Sequence, residues 1–233
     1  MKKIEVCLSP ELIHLFELEG KTVVVVDILR ATSCMTTAFA YNIQSMKPVA
    51  SLDECKALKQ EGYFIAAERG GEKVKGFDIG NSPFSYMEPT LKGEKVAVTT
   101  TNGTLAITKS MAASHILIGS FLNIKAIAEK VKELDQDLII HCAGWKGSVN
   151  AEDTLFAGAL IELLIGDYEM GSDDATVAYA LYQQHKGDML AYVSQSSHAQ
   201  RLKAFGIMKD IEFCLESDMY DVVPYLKDGS IVS

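Results

Sequence analysis

The segment VVVVDILRATS, Val23 to Ser33, constrains the chain more than any other. Four successive valines offer no polar face, so a strand built from them must be covered on both sides. Such a strand belongs inside a sheet flanked by helices. Yet it runs without a spacer into Asp27 and Arg30, followed by Thr32 and Ser33. A carboxylate at the end of a buried strand is costly unless it is paired, hydrogen-bonded or bound to a metal.

The rest of the chain repeats the pattern. Short apolar runs at Lys3–Leu8, Ser45–Ala50, Phe64–Arg69, Lys95–Thr100, Ser114–Gly119 and Asp137–Cys142 read as strands. Helical periodicity falls at Ser33–Asn42, Leu52–Gly62, from about Gly103, at Asn123–Leu134 and at Ala151–Gly166, and the tail from Asp173 is mostly helical as far as YDVVPYL. Strands alternating with helices predict a layered α/β fold with a largely parallel or mixed sheet. The 233 residues, 48% hydrophobic and 23% charged, suffice for one domain over 1–233 or for two closely packed lobes. The apolar helix around Leu155–Ile165 is either core or a homo-oligomer interface. Gly70–Gly93 is the longest irregular stretch, and a loop of that length in a compact domain is usually functional.

Composition excludes several classes. No apolar run approaches the ~18 residues of a membrane span. The N-terminus MKKIEVCLSP lacks the features of a secretory signal. Five scattered cysteines without a CxxC pair argue against a disulfide framework or a zinc knuckle, and a cytoplasmic protein is expected. The net charge of −9, with no basic tract, argues against nucleic-acid binding. A small anionic substrate would need a local cationic site or a metal.

In open α/β sheets, ligands bind beyond the carboxyl ends of the strands. Asp27, Arg30, Thr32 and Ser33 follow one strand, and Glu68, Arg69, Gly70 and Gly71 another. Thr99, Thr100, Thr101, Asn102 and Gly103 follow a third. Cys142 to Gly144, then Glu152 and Asp153, follow a fourth. Each has a plain alternative: Asp27 as a helix cap, Arg30 as its counter-ion, Glu68 and Arg69 as a surface ion pair, Glu152 and Asp153 as acids favoured in a first helical turn. Asn81 and Ser82 lie in GNSP, a sequence of turn formers. His141 reads as a core histidine, and His198, in SSHAQRL, as a candidate proton carrier. Trp145 sits in the Gly144–Gly147 loop. There is no P-loop, no cysteine-phosphatase signature, no Arg-His-Gly triplet and no usable DxDx[TV] motif.

Five blocks in order, VVVVDILRATS, ERGGEKVKGFDIGNSP, VTTTNGT, HCAGWKGSVNAEDTLFAGAL and SSHAQRLKAFGIMKDIEFCLESDMYDVVP, resemble the 2-phosphosulfolactate phosphatase family. The likeness runs from about Val23 to Pro224. It implies a three-layer α/β/α fold of a family-specific topology. It also implies a Mg²⁺-dependent hydrolysis of 2-phospho-3-sulfolactate to 3-sulfolactate and phosphate, a coenzyme M biosynthesis step. The matching polar positions are Asp27, Arg30, Thr32, Glu68, Arg69, Asn81, Ser82, Thr100, Thr101, Asn102, Glu152 and Asp153, with Ser33 where a threonine would also fit.

The expected site therefore takes Arg30 and Arg69 as clamps on phosphate and sulfonate, since a planar fork of donors suits such anions. Ser33, Asn81, Ser82 and Thr100–Gly103 supply neutral donors. Asp27, Glu68, Glu152 and Asp153 are the pool of Mg²⁺ ligands, with Asp27, Arg30, Glu68 and Asp153 in the chemistry. Mg²⁺ usually takes one or two carboxylates, so not all four are direct ligands. Asp27 is left open as nucleophile, base or ligand. The competing readings are an enzyme acting on another small phospho-2-hydroxy acid and a non-catalytic binder of a small anionic metabolite.

Overall fold

The computed structural model describes all 233 residues. Its strands are β1 (Lys2–Cys7), β2 (Thr22–Val26), β3 (Ser45–Pro48), β4 (Phe64–Arg69), β5 (Glu72–Lys73), β6 (Lys95–Thr99), β7 (His115–Gly119), β8 (Leu138–Cys142), β9 (Tyr168–Met170), β10 (Tyr225–Lys227) and β11 (Ser230–Val232). They form one sheet in the order β5-β4-β6-β3-β11-β10-β7-β2-β8-β1-β9. The helices are α1 (Ala31–Ala40), α2 (Leu52–Leu58), α3 (Gly103–Lys109), α4 (Ile124–Leu134), α5 (Ala151–Leu164), α6 (Asp173–His185), α7 (Met189–Val193), α8 (Ser197–Ala204) and α9 (Met208–Cys214).

Two parallel blocks make up most of the sheet. One is β7-β2-β8-β1-β9 and the other β3-β6-β4. The hairpin β10–β11 joins them, antiparallel to β7 on one side and to β3 on the other. The result is the expected three-layer α/β/α class with a mixed, largely parallel sheet.

The valine strand lies at the heart of this arrangement. β2 pairs with β7 and β8, and all five of its residues are buried. Successive side chains on a strand point to opposite faces. Val24 and Val26 thus join Ile4, Val6, Leu138 and Ile140 in a core covered by α4, α5 and α6. Val23 and Val25 face a second core with Ile116 and Ile118, under Cys34 and Met35 of α1 and Ile107 of α3. A smaller third core sets Ile65, Ala67 and Ala97 against Cys55 and Leu58 of α2.

Local chemistry fixes the helix starts. Ser51 and Glu54 form a reciprocal capping box at α2, while Asn150, Ser172 and Ser196 accept amides at the starts of α5, α6 and α8. The α5 helix is core rather than interface: Leu155, Phe156, Leu160 and Ile161 are fully buried within this chain. Gly158 permits its close approach to α6, since a Cβ there would stand 2.2 Å from the Ala178 carbonyl oxygen.

Some elements depart from expectation. The run from Ser45 ends as a strand at Pro48, whose ring nitrogen cannot donate to a ladder. The Gly70–Gly93 stretch holds β5 and two short 3₁₀ turns that begin at Pro83 and Pro89. β9, β10 and β11 have three residues each, too few for a periodic signal. No helix is long and apolar enough to cross a membrane.

Candidate active site

The two parallel blocks bring their strand ends to one small, partly open cleft. The starts of α1 and α3 approach closely beside it. A Cβ built on Gly103, just past β6, would lie 2.7 Å from Ala31 Cβ and 3.0 Å from Asp27 Oδ2. Only glycine fits between them.

Asp27 lines the cleft at the end of β2 with 6% of its surface exposed. Its Oδ1 accepts the Ala31 amide at 3.3 Å, and its own amide donates to Thr32 Oγ1 at 3.0 Å. It therefore steadies the start of α1 and also faces the cleft. Burial pushes its carboxyl up to about 6, against the pull of the Ala31 amide and of His198, while Glu68 and Glu152 push the same way as burial. Glu68, at the end of β4, is the second carboxylate of the cleft. It accepts the Gly71 amide through Oε1 and the Thr101 hydroxyl through Oε2 at 3.5 Å.

Arg30 is buried at 5% exposure and lines the same cleft. One terminal nitrogen donates to Asp210 of α9 at 2.5 Å and the other to the Gly71 carbonyl at 2.9 Å. Ser82 donates to the other oxygen of Asp210 at 3.2 Å. Asn81, Thr101 and Asn102 line the cleft as neutral polar groups. Asn102 also accepts the Lys146 amide at 3.3 Å.

The C-terminal helices complete the wall. Arg201 and His198 of α8, with Trp145 and Lys146 from the loop after β8, also line the cleft. The Arg201 guanidinium stands 4.6 Å and Lys146 Nζ 4.9 Å from the Trp145 ring centroid. Arg201 donates to the Gly70 carbonyl at 3.0 Å, which ties α8 to the glycine loop.

Several expected ligands lie elsewhere, each for a physical reason. Arg69 follows Glu68 on one strand and so points to the opposite face. Its nitrogens are taken by the Glu68 and Thr99 carbonyls and by Thr99 Oγ1, beside a separate depression. Asp153 is fully buried: its two oxygens accept the Ile28 amide at 2.8 Å and the Gly144 amide at 3.0 Å, clasping the ends of β2 and β8. Burial, then Asp27 and Glu152, hold its carboxyl well above the usual range. Glu152 is equally buried and turned to His198. Ser33 donates to the Ile28 carbonyl, and Thr100 exchanges hydrogen bonds with Thr104 at the start of α3. Of the four carboxylates expected around a metal, only Asp27 and Glu68 line the cleft. No three His, Cys, Asp or Glu side chains are grouped to hold a metal by themselves.

A cleft at strand ends with two carboxylates, a buried arginine, two further cations and a carboxylate-bound histidine defines an α/β enzyme for small anionic substrates. The model of the 2-phosphosulpholactate phosphatase family matches residues 7–229. Proteins named probable 2-phosphosulfolactate phosphatase are 37% identical in Caldanaerobacter subterraneus, over 92% of this chain and 91% of the relative, and in Clostridium acetobutylicum, over 99% and 100%. One in Thermotoga petrophila is 37% identical over 92% of both chains. The chain belongs to the 2-phosphosulpholactate phosphatase family, a family of phosphoric monoester hydrolases.

The residues that sequence reasoning missed are Trp145, Lys146, Arg201 and Asp210. One signal was available: His198 and Arg201 are three apart, hence on one face of a helix.

Proposed function

We propose that the protein hydrolyses 2-phospho-3-sulfolactate to 3-sulfolactate and phosphate with Mg²⁺, in the cytoplasm, as a step of the coenzyme M biosynthesis type. The observation that carries this reading is the pairing, within one cleft, of two carboxylates with three cationic side chains in a chain of net charge −9. Such a cleft suits a substrate with several negative charges and a metal that shares the carboxylates.

The donor set fits Mg²⁺. A hard cation that keeps most of its waters needs one or two carboxylates and the substrate's phosphate, and Asp27 and Glu68 supply that number. When bound, Mg²⁺ neutralises phosphate charge and orients in-line displacement. Lys146 and Arg201, which line the same cleft, would take the sulfonate and carboxylate. Arg30 holds the glycine loop and Asp210 together, both terminal nitrogens taken, and adds its charge to the cleft it lines. Asn81, Thr101 and Asn102 add neutral donors. The five buried free cysteines suit a reducing compartment.

Phosphate release tests the reading. The purified protein is incubated with 2-phospho-3-sulfolactate, and with 2-phospholactate, which lacks the sulfonate, in Mg²⁺ or in chelator. Release from the sulfonated ester in Mg²⁺ alone, with a lower kcat/KM for phospholactate, is expected. No release from either ester overturns the hydrolase; equal rates on both overturn the substrate; equal rates in chelator overturn the metal.

A further inference from the structure

The reading above leaves one buried pair without a task. His198 lines the cleft with 6% of its surface exposed, and its Nδ1 lies 2.5 Å from Glu152 Oε1. Glu152 is fully buried, and its Oε2 has no hydrogen-bond partner. A fold rarely tolerates a buried carboxylate with one oxygen unsatisfied, since the lost hydration is not replaced. Here the His198 ring is its sole hydrogen-bond partner, so the contact has no competitor in orienting that ring. An aromatic ring lies alongside His198. Trp145 lies nearly parallel to it, 18° between planes and 5.9 Å between centroids. With Nδ1 committed to Glu152, Nε2 is the nitrogen left for the cleft.

The reaction needs such a group. Breaking the ester bond at C2 leaves the electron pair on the oxygen of a secondary alcohol, a poor leaving group unless it is protonated as the bond breaks. The guanidinium groups of Arg30 and Arg201 hold their protons too tightly to give one up, and Lys146 is assigned above to a remote anion, which leaves His198 for that oxygen.

We propose that His198 is the general acid of the hydrolysis and Glu152 its positioning residue; the proposal rests on the hydrolase reading of the same cleft. The bond between phosphorus and the ester oxygen breaks, and that oxygen takes the proton from Nε2. The oxygen of water forms the new bond to phosphorus. One of its protons stays on the product, HPO₄²⁻, and the other returns through solvent to Nε2. Glu152 keeps the Nδ1 proton throughout, orients the ring and balances its charge before transfer, as the buried acid of a hydrolytic triad does.

The test uses the full-length protein and 2-phospho-3-sulfolactate carrying ¹⁸O in the bridging position. His198→Gln and Glu152→Gln are compared with wild type for kcat, KM and the bridging-oxygen isotope effect on kcat/KM. Asp27→Asn, slowed through the cation site, controls for a lower rate as such. Circular dichroism confirms that each variant is folded. His198→Gln should lower kcat on the order of 10²- to 10⁴-fold with little change in KM. Its isotope effect should exceed that of Asp27→Asn, because the bond now breaks without a compensating proton. Glu152→Gln should move in the same direction by less. A His198→Gln enzyme within about threefold of wild-type kcat, or with the isotope effect of Asp27→Asn, overturns the proposal. Wild-type protein that releases no phosphate overturns the hydrolase reading instead, and the proposal falls with it.

Discussion

Replacing His141 by leucine should flatten part of the stability loss that the wild type suffers on acidification. His141 lies in β8 with none of its surface exposed. Ser110 Oγ donates to the Ala106 carbonyl at 2.9 Å, so its 2.8 Å contact with His141 Nδ1 is a ring N–H donating to the hydroxyl. Nε2 therefore carries the lone pair, and it is buried with no partner. A proton there would meet no acceptor. Burial, and then the charge of Lys109, push the ring from 6.5 to about 4. In the unfolded chain the ring takes its proton near 6.5, so between the two values the unfolded state binds more protons, and stability falls with pH. The interval from 6.5 to about 4, at 1.36 kcal/mol per pH unit, amounts to about 3 kcal/mol lost by pH 4 and none at pH 7. His141→Leu removes the titrating group, while Ser110 keeps its bond to Ala106. Urea unfolding at pH 7 and pH 4 reads the outcome. The variant should gain about 3 kcal/mol on the wild type between the two conditions, whatever their difference at pH 7. Stability curves that stay parallel within about 1 kcal/mol would refute the burial argument.

Three further outcomes follow from the cleft. The fold prefers Asp27 in its neutral form, with the carboxyl near 6 against 3.8 ordinarily, so its charge costs stability as pH rises through that interval. Asp27→Asn in chelator should thus melt above wild type at pH 8 but not at pH 3.5, while kcat drops by on the order of 10²-fold or more; calorimetry and phosphate release check both. Gly103→Ala must push Ala31 or Asp27 aside, and an unfolding titration should show a loss of about 1–3 kcal/mol together with a fall in kcat. Asp210→Ala strands the buried charge of Arg30 at a cost of about 3–5 kcal/mol, measurable by chemical denaturation.

Much of this site was legible before any coordinates, and what was not has a common cause. Strand ends are local features: a short apolar run followed by polar residues marks Asp27, Glu68, Thr101 and Asn102 without knowledge of the partners. The error over Arg69 was avoidable, because period-2 alternation forbids Glu68 and Arg69 from facing one cleft. Arg201, not Arg69, lines the cleft. The sequence identifies Glu152 and Asp153 as acids of a first helical turn, but whether each meets a metal, an amide or a ring depends on elements far away. Arg30 and Asp210 are 180 residues apart. No periodicity reports a contact of that range.

The same distance has a functional consequence. The strand-end half of the cleft is held by the sheet, whose central strand is buried on both faces. The other half, with His198 and Arg201, stands on short helices joined to the first half through Arg30–Asp210, Arg201–Gly70 and Glu152–His198. Two of these three bonds end on a buried carboxylate, and all three involve a residue that lines the cleft. Two of the groups proposed to meet a polyanion, Arg30 and Arg201, thus also tie the two halves together, beside the core contacts of Val193, Ala199, Leu202 and Ile211. Substrate charge placed among Arg30, Lys146 and Arg201 would add to the attraction across that seam, and the helices that carry the proposed acid would be held most firmly when there is an ester to protonate.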